Sequence, residues 1–161
     1  SADRRCRGCV LGGRRLTDCL QHRDLDLPPK GLFVMKVGER LPDLVRTITL
    51  TDMVAYGGAT WDSHRLHYDP GFAARAGMER PVVDGQMFGA LFGEQLTRCL
   101  EKGQWISRLF FRNTAPTYAH ETVVCEAEVT GVEGGLTLIQ LRASVGDRLV
   151  VAAAGAELST T

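Results

Sequence analysis

No stretch of about eighteen consecutive apolar residues, the least that a membrane-crossing helix needs, occurs in the 161-residue chain. The opening Ser-Ala-Asp-Arg-Arg-Cys lacks the apolar core of a secretory leader, so a soluble, cytoplasmic protein with no membrane partner is expected. An excess of either charge is missing too. Nineteen basic residues face nineteen acidic ones, so no overall field draws the molecule to nucleic acid or to an anionic surface. Any anionic ligand must be met locally. The five cysteines, at positions 6, 9, 19, 99 and 125, are an odd set and do not suggest the disulfide framework of a small secreted domain. Reduced thiols are expected. Cys6-Arg-Gly-Cys9, taken with Cys19 and His22, has the residue types of a zinc site but an irregular spacing. No strand precedes the pair and no helical pattern follows it, as a redox motif requires.

Regular apolar spacing is also lacking from residues 1–34, which are rich in arginine and carry Gly12-Gly13 and Pro28-Pro29. That composition predicts a poorly ordered N-terminal extension followed by a single domain over 35–161, with Met35 near its start. An apolar content of 44% over this length is enough for one core. From Leu44 to Leu50 β-branched residues alternate with others and predict a strand, after which Asp52 is expected to cap a short helix through about Gly57. Pro70, Phe72, Ala73, Ala74 and Ala76 predict a second short helix stopped at Gly77. Beyond an extended Arg80–Gly85, the recurrence of Met87, Leu91, Phe92, Leu96 and Leu100 predicts the longest helix, about 84–101. Gly85, Gly89 and Gly93 stand four apart and predict a narrow face pressed against a sheet, at a cost of up to about 1 kcal/mol each in helix propensity. Strands are expected over 106–112, 121–133, 136–145 and 148–157, with hairpin turns at Gly134-Gly135 and Gly146-Asp147. One strand, small helices, a glycine-lined helix and an antiparallel meander make an α+β layer structure whose sheet wraps the long helix. That is the hotdog architecture.

Proton-transfer groups concentrate between Trp61 and Asp69, read Trp-Asp-Ser-His-Arg-Leu-His-Tyr-Asp. A histidine beside an aspartate can exchange a proton near neutral pH without an extreme environment. On residue types alone the cluster is open to three readings: an Asp62/His67 acid–base pair, a metal site of Asp62, His64, His67 and Asp69, or a hydrogen-bonded polar loop. The segment from Tyr56 to Gly85 resembles the signature of MaoC-like dehydratases and R-specific enoyl-CoA hydratases. Tyr56 stands for its aromatic residue, Asp62 for its acid, Leu66 for its aliphatic residue, His67 for its histidine and Ala73 for its small residue, all at the family's spacing. Arg80-Pro81-Val82-Val83-Asp84-Gly85-Gln86-Met87 is similar to the family's entry to the central helix, Pro-Val-Val-His-Gly-x-Met. The likeness spans roughly Val37 to Leu158. Three departures stand out: Trp61 replaces the usual glycine, His64-Arg65 replace Asn-Pro, and Asp84 replaces a histidine.

The resemblance implies reversible hydration of a trans-2-enoyl thioester to an R-3-hydroxyacyl thioester. It implies Asp62 and His67 as the acid–base pair and the Gly85 N–H, at the positive end of the long helix, as donor to the thioester oxygen. His64 and Arg65 become candidate specificity residues. Asp84 is expected to cap the helix, or else to point away from the oxyanion or recognise substrate. Arg108 and Arg112 alternate on one strand and are candidates to meet CoA phosphates, a solvated strand face being the alternative. CoA or an acyl carrier enters as part of the substrate, and neither a metal nor a tightly bound cofactor is implied. A hotdog covers one side of its sheet poorly, so a homodimer or a homo-oligomer of dimers is expected, with the acyl groove at or near the interface. Two rivals remain: a hotdog thioesterase with Glu94 as base, and a non-catalytic acyl-CoA-binding subunit.

Overall fold

In the computed structural model the described residues are 35–160. The predicted N-terminal extension, with Cys6, Cys9, Cys19 and His22, lies outside them. Strand β1 runs Arg40–Thr47, somewhat earlier than the sequence predicts. It ends there because Thr49 turns the chain into helix α1, Leu50–Thr60. The Thr49 hydroxyl accepts from the Asp52 N–H at 3.2 Å, and the Asp52 carboxylate accepts from the Thr49 N–H at 2.8 Å. This is a reciprocal capping box, so Asp52 is the third-position partner and Thr49 the cap. The helix also runs past Gly57, to a C-cap at Trp61 with φ 60° and ψ 22°. Glycine is needed at 57 because a Cβ there would lie 2.6 Å from the backbone oxygen of Asp62.

A 3₁₀ turn over Arg65–His67 leads to helix α2, Pro70–Arg75, where Asp69 caps through the Phe72 N–H at 2.9 Å and proline takes a first-turn position. Helix α3 covers Met87–Cys99, inside the predicted 84–101. Its start is delayed because Asp84, Gly85 and Gln86 form a separate turn, and Leu100 at ψ 133° ends it. Strands β2 (Gln104–Asn113), β3 (Thr122–Glu133), β4 (Leu136–Val145) and β5 (Arg148–Thr160) follow.

All pairings are antiparallel and give the order β1-β3-β4-β5-β2. Only β3-β4-β5 is a meander, because tight turns with positive φ occur at Gly134, Gly135 and Gly146. Residues 114–121 instead carry the chain across from β2 at one edge to β3 near the other. Met87, Phe88, Leu91, Phe92 and Leu96 of α3 are buried with Leu41, Leu44, Val123, Val129, Val150 and Leu158, each such side chain contributing about 1.5–3 kcal/mol. Gln95, also buried, donates to the carbonyls of Pro42 at 2.9 Å and Cys125 at 3.0 Å, which ties α3 to both strands. The predicted glycine face holds in part. A Cβ at Gly89 would lie 3.1 Å from the Phe111 ring of β2, whereas one at Gly93 would meet nothing within 4 Å. No helix among the described residues is long and apolar enough to cross a membrane.

Candidate active site

The left-handed Trp61 turns the chain sharply out of α1 and sets Asp62 at the mouth of a cleft. One carboxylate oxygen, Oδ1, accepts from the His64 N–H at 3.0 Å, a turn that suits aspartate, and Oδ2 faces His67. His64 Nδ1 accepts from the Leu66 N–H at 3.2 Å and so opens the 3₁₀ turn, while its ring meets Phe72 edge-on at 5.5 Å. Arg65 pairs with Asp69 at 2.5 Å and lies 5.3 Å over Phe72. Hydrogen bonds from the Phe72 N–H and from Arg65 hold the Asp69 carboxyl below its usual range. His64, Arg65 and Asp69 thus brace the loop that presents His67, and the grouping of Asp62 with His64, His67 and Asp69 is not formed.

His67 is fixed from one side. Its Nδ1 lies 2.7 Å from the Val82 carbonyl, and the Val82 N–H donates in turn to the Leu66 carbonyl at 3.1 Å. A carbonyl can only accept, so Nδ1 carries a proton, and in the neutral ring Nε2 holds the lone pair. That lone pair faces Asp62 Oδ2 at 3.8 Å, with side-chain exposures of 17% for His67 and 41% for Asp62. The gap is too long for a direct hydrogen bond and short enough for one water to touch both groups.

Asp84 joins them. One ligand-type atom from each of Asp62, His67 and Asp84 lies within 4.8 Å of the others, so these three are where a cation could be held. The cap of α3 is Gln86, without a side-chain hydrogen bond. Asp84 caps only the preceding turn, accepting from the Gln86 N–H at 2.8 Å. The expectation that it caps the long helix is therefore not met, and the turn instead brings its carboxylate to the pair. Tyr56, supplied by the motif but given no role from sequence, also belongs here. Burial, then the charges of Asp84 and Asp62, push its phenol above the usual value, which keeps its O–H a donor. Its signal was its place one and a half turns before Asp62.

His67 and Gly85 line a cleft of about 400 Å³ together with Val82, Asn113, Thr114 and Thr117. Among the described residues the Gly85 N–H has no acceptor, and the buried Thr117 hydroxyl has no partner. A Cβ at Gly85 would meet Asn113 Nδ2 at 2.4 Å, so glycine lets the strand end approach the donor. Asn113 and Thr117 come from β2 and the crossing loop, and no motif singled them out. On the other side of His67 lies a crevice of about 340 Å³ along α1, lined by Met53, Val54, Gly58, Trp61, Asp62 and Tyr68 among others.

Arg108 and Arg112 are not brought to either cavity. They stand on β2 with exposed side chains, and Arg108 pairs with Glu157 at 3.1 Å and lies over Phe110 at 5.3 Å. Their alternation put both on the outer sheet face, away from the pair. Glu94 lines neither cavity and is held by Arg46 at 2.6 Å and by Arg98.

Residues 37–119, just over half of the chain, match the family described as hydroxyacyl-thioester dehydratase type 2. The chain is 29% identical over 99 residues to an (R)-specific enoyl-CoA hydratase of Aeromonas caviae, which covers 61% of this chain and 73% of the relative. It is 28% identical over 109 residues to a mitochondrial 3-hydroxyacyl-[acyl-carrier-protein] dehydratase of Arabidopsis thaliana, covering 60% of this chain and 64% of that one. Among solved structures, a chain of the ChsH1-ChsH2 complex from Mycobacterium tuberculosis is similar at a TM-score of 0.73 and 28% identity, over 78% of this chain and 98% of its own. Tyr56, Asp62, His67, Asp84 and Gly85 all fall inside the matched segment. With its α+β hotdog fold, the chain belongs to the hydroxyacyl-thioester dehydratase type 2 family.

Proposed function

We propose that this protein reversibly adds water to a trans-2-enoyl thioester to give an R-3-hydroxyacyl thioester. The observation that carries the reading is His67 Nε2 facing Asp62 Oδ2 at 3.8 Å, with His67 also lining the cleft that presents the unpartnered Gly85 N–H. A water held between the two side chains is oriented by Asp62 and gives a proton to His67 Nε2 as its oxygen bonds to the β-carbon. The π pair of the double bond moves through the α-carbon onto the thioester oxygen, and the developing enolate accepts from the Gly85 N–H. As the enolate reverts, the proton taken by His67 passes to the α-carbon. The net change is H and OH added across one double bond, with no oxidant or reductant. Acid–base groups of this kind contribute about 10²- to 10⁴-fold each, and an oxyanion donor about 3–4 kcal/mol. CoA or an acyl carrier is part of the substrate, and the steps call for no resident cofactor.

A homodimer goes with this reading. The outer sheet face exposes Phe110 and Leu138, and β2, at an open edge, supplies the end of the cleft at Asn113. A second copy would cover that face. Thioester hydrolysis has less support, since Glu94 is neutralised by two guanidinium groups. Incubation with enoyl-CoA tests the choice. Loss of the conjugated double bond without free thiol is expected, whereas stoichiometric thiol release would favour the thioesterase, and neither change would favour a non-catalytic acyl-CoA-binding subunit.

A further inference from the structure

We infer that the crevice along α1 holds the carbon chain of the acyl group beyond its β-carbon, and that the substrate is a medium-chain thioester without a terminal charge; this rests on the hydratase reading. His67 lines both cavities, and it separates them by chemistry. On one side are the Gly85 N–H and the Thr117 hydroxyl, two donors without partners among the described residues. On the other are the side chains of Met53, Val54, Trp61 and Tyr68 with the bare backbone of Gly58. In an extended enoyl thioester the carbonyl oxygen, α-carbon and β-carbon follow one another along the chain. With the oxygen at Gly85 and the β-carbon at the water between Asp62 and His67, the next carbon must lie past His67, on the crevice side.

The crevice fits such a chain. Its volume of about 340 Å³ lies in the small-molecule range of roughly 300–1,000 Å³. At about 30 Å³ for each water-sized group, it has room for at most roughly eleven methylenes. Trp61 is 94% exposed at its rim, held in a left-handed conformation by the turn that ends α1, and no packing among the described residues accounts for an indole there. A methylene chain laid on it would. The carboxylate among its lining residues is Asp62, with no lysine or arginine beside it in the lining, and Arg65 is engaged by Asp69. A substrate ending in a carboxylate would have to bring that charge into an apolar crevice without a partner.

Gly58→Leu tests the inference. A Cβ at Gly58 meets nothing within 4 Å, so the new side chain projects into the crevice, and leucine is the better helix former. For the intact protein, kcat/KM on enoyl-CoAs should rise about fourfold per added methylene from four carbons until the crevice is full, the factor expected for a buried CH₂. Gly58→Leu should leave the four-carbon substrate within about twofold and lower the ten-carbon one by about tenfold or more, on the same scale. An enoyl-CoA of ten carbons ending in a carboxylate should be about tenfold poorer than its methyl-ended counterpart, and equal rates would overturn the uncharged-chain part. Flat dependence on chain length, or an equal loss at every length in Gly58→Leu, would overturn the crevice assignment. An equal loss joined to a fall in oligomeric mass would assign the crevice to a subunit contact. Failure of the unaltered protein to hydrate any chain length would remove the hydratase reading beneath it.

Discussion

At the scale of single residues, the pair Asp62 and His67 is legible because chemistry and spacing coincide: two proton-transfer groups, an aromatic six residues before and a small residue six after. The roles of their neighbours are not legible, since they depend on which atom each side chain finds once the loop closes. His64 and Arg65, candidate specificity residues in sequence, also brace the loop, because Leu66 N–H and Asp69 lie within reach. Asp84 looks like a cap and turns toward the pair, because its hydrogen bond to Gln86 closes a turn one step too early for the helix. Trp61 shows the cost of the site's geometry. A non-glycine residue in the left-handed region costs about 1–2 kcal/mol, and the 94% exposed indole recovers little by packing. Trp61→Gly is therefore expected to stabilise the fold by about 0.5–1 kcal/mol after the larger entropy of glycine in the unfolded chain is deducted. Denaturant unfolding measures this; a loss of stability would show that the indole packs on the protein in solution.

At the scale of elements, segment types were readable from period and turn chemistry, and boundaries moved where a cap overruled the pattern. Thr49 ends β1 three residues before the alternation does, and Asp84 delays α3 by three. The loop over 114–121, which brings Thr117 to the cleft, had no sequence signal, because its anchor is long-range. Glu121 accepts from Arg148 at 2.7 and 2.8 Å and from the Tyr118 N–H at 2.9 Å. Burial raises its carboxyl, but these hydrogen bonds and the charge of Arg148 outweigh that and hold it below the usual glutamate value. A carboxyl lowered by folding stabilises the native state above its unfolded pKa and loses that contribution as pH falls through the lower folded value. Glu121→Gln should cost about 1.5–3 kcal/mol at neutral pH, and the gap to the unaltered protein should close on acidification through that range. A gap that stays constant with pH would show that the loss is steric.

At the scale of the whole molecule, layer and class could be read from the alternation of elements, whereas strand order could not. Hairpin glycines fix β3-β4-β5, but the placing of β1 and β2 at opposite edges depends on the crossing loop and on the apolar stripe of α3 that the sheet must curl to cover. That curl puts the start of α3, the end of β2 and the loop after α1 at one end, where the cleft forms. The same topology leaves edge strands open, and sedimentation equilibrium should give twice the chain mass; a monomer at all concentrations would contradict the dimer.

The most direct measurement is steady-state hydration of enoyl-CoA by the unaltered protein and by Asp62→Asn and His67→Gln, with circular dichroism confirming that each variant is folded. Each substitution should lower kcat by about 10²- to 10⁴-fold while leaving the fold intact. Turnover near that of the unaltered protein in either folded variant would contradict the assignment of water activation to the Asp62/His67 pair.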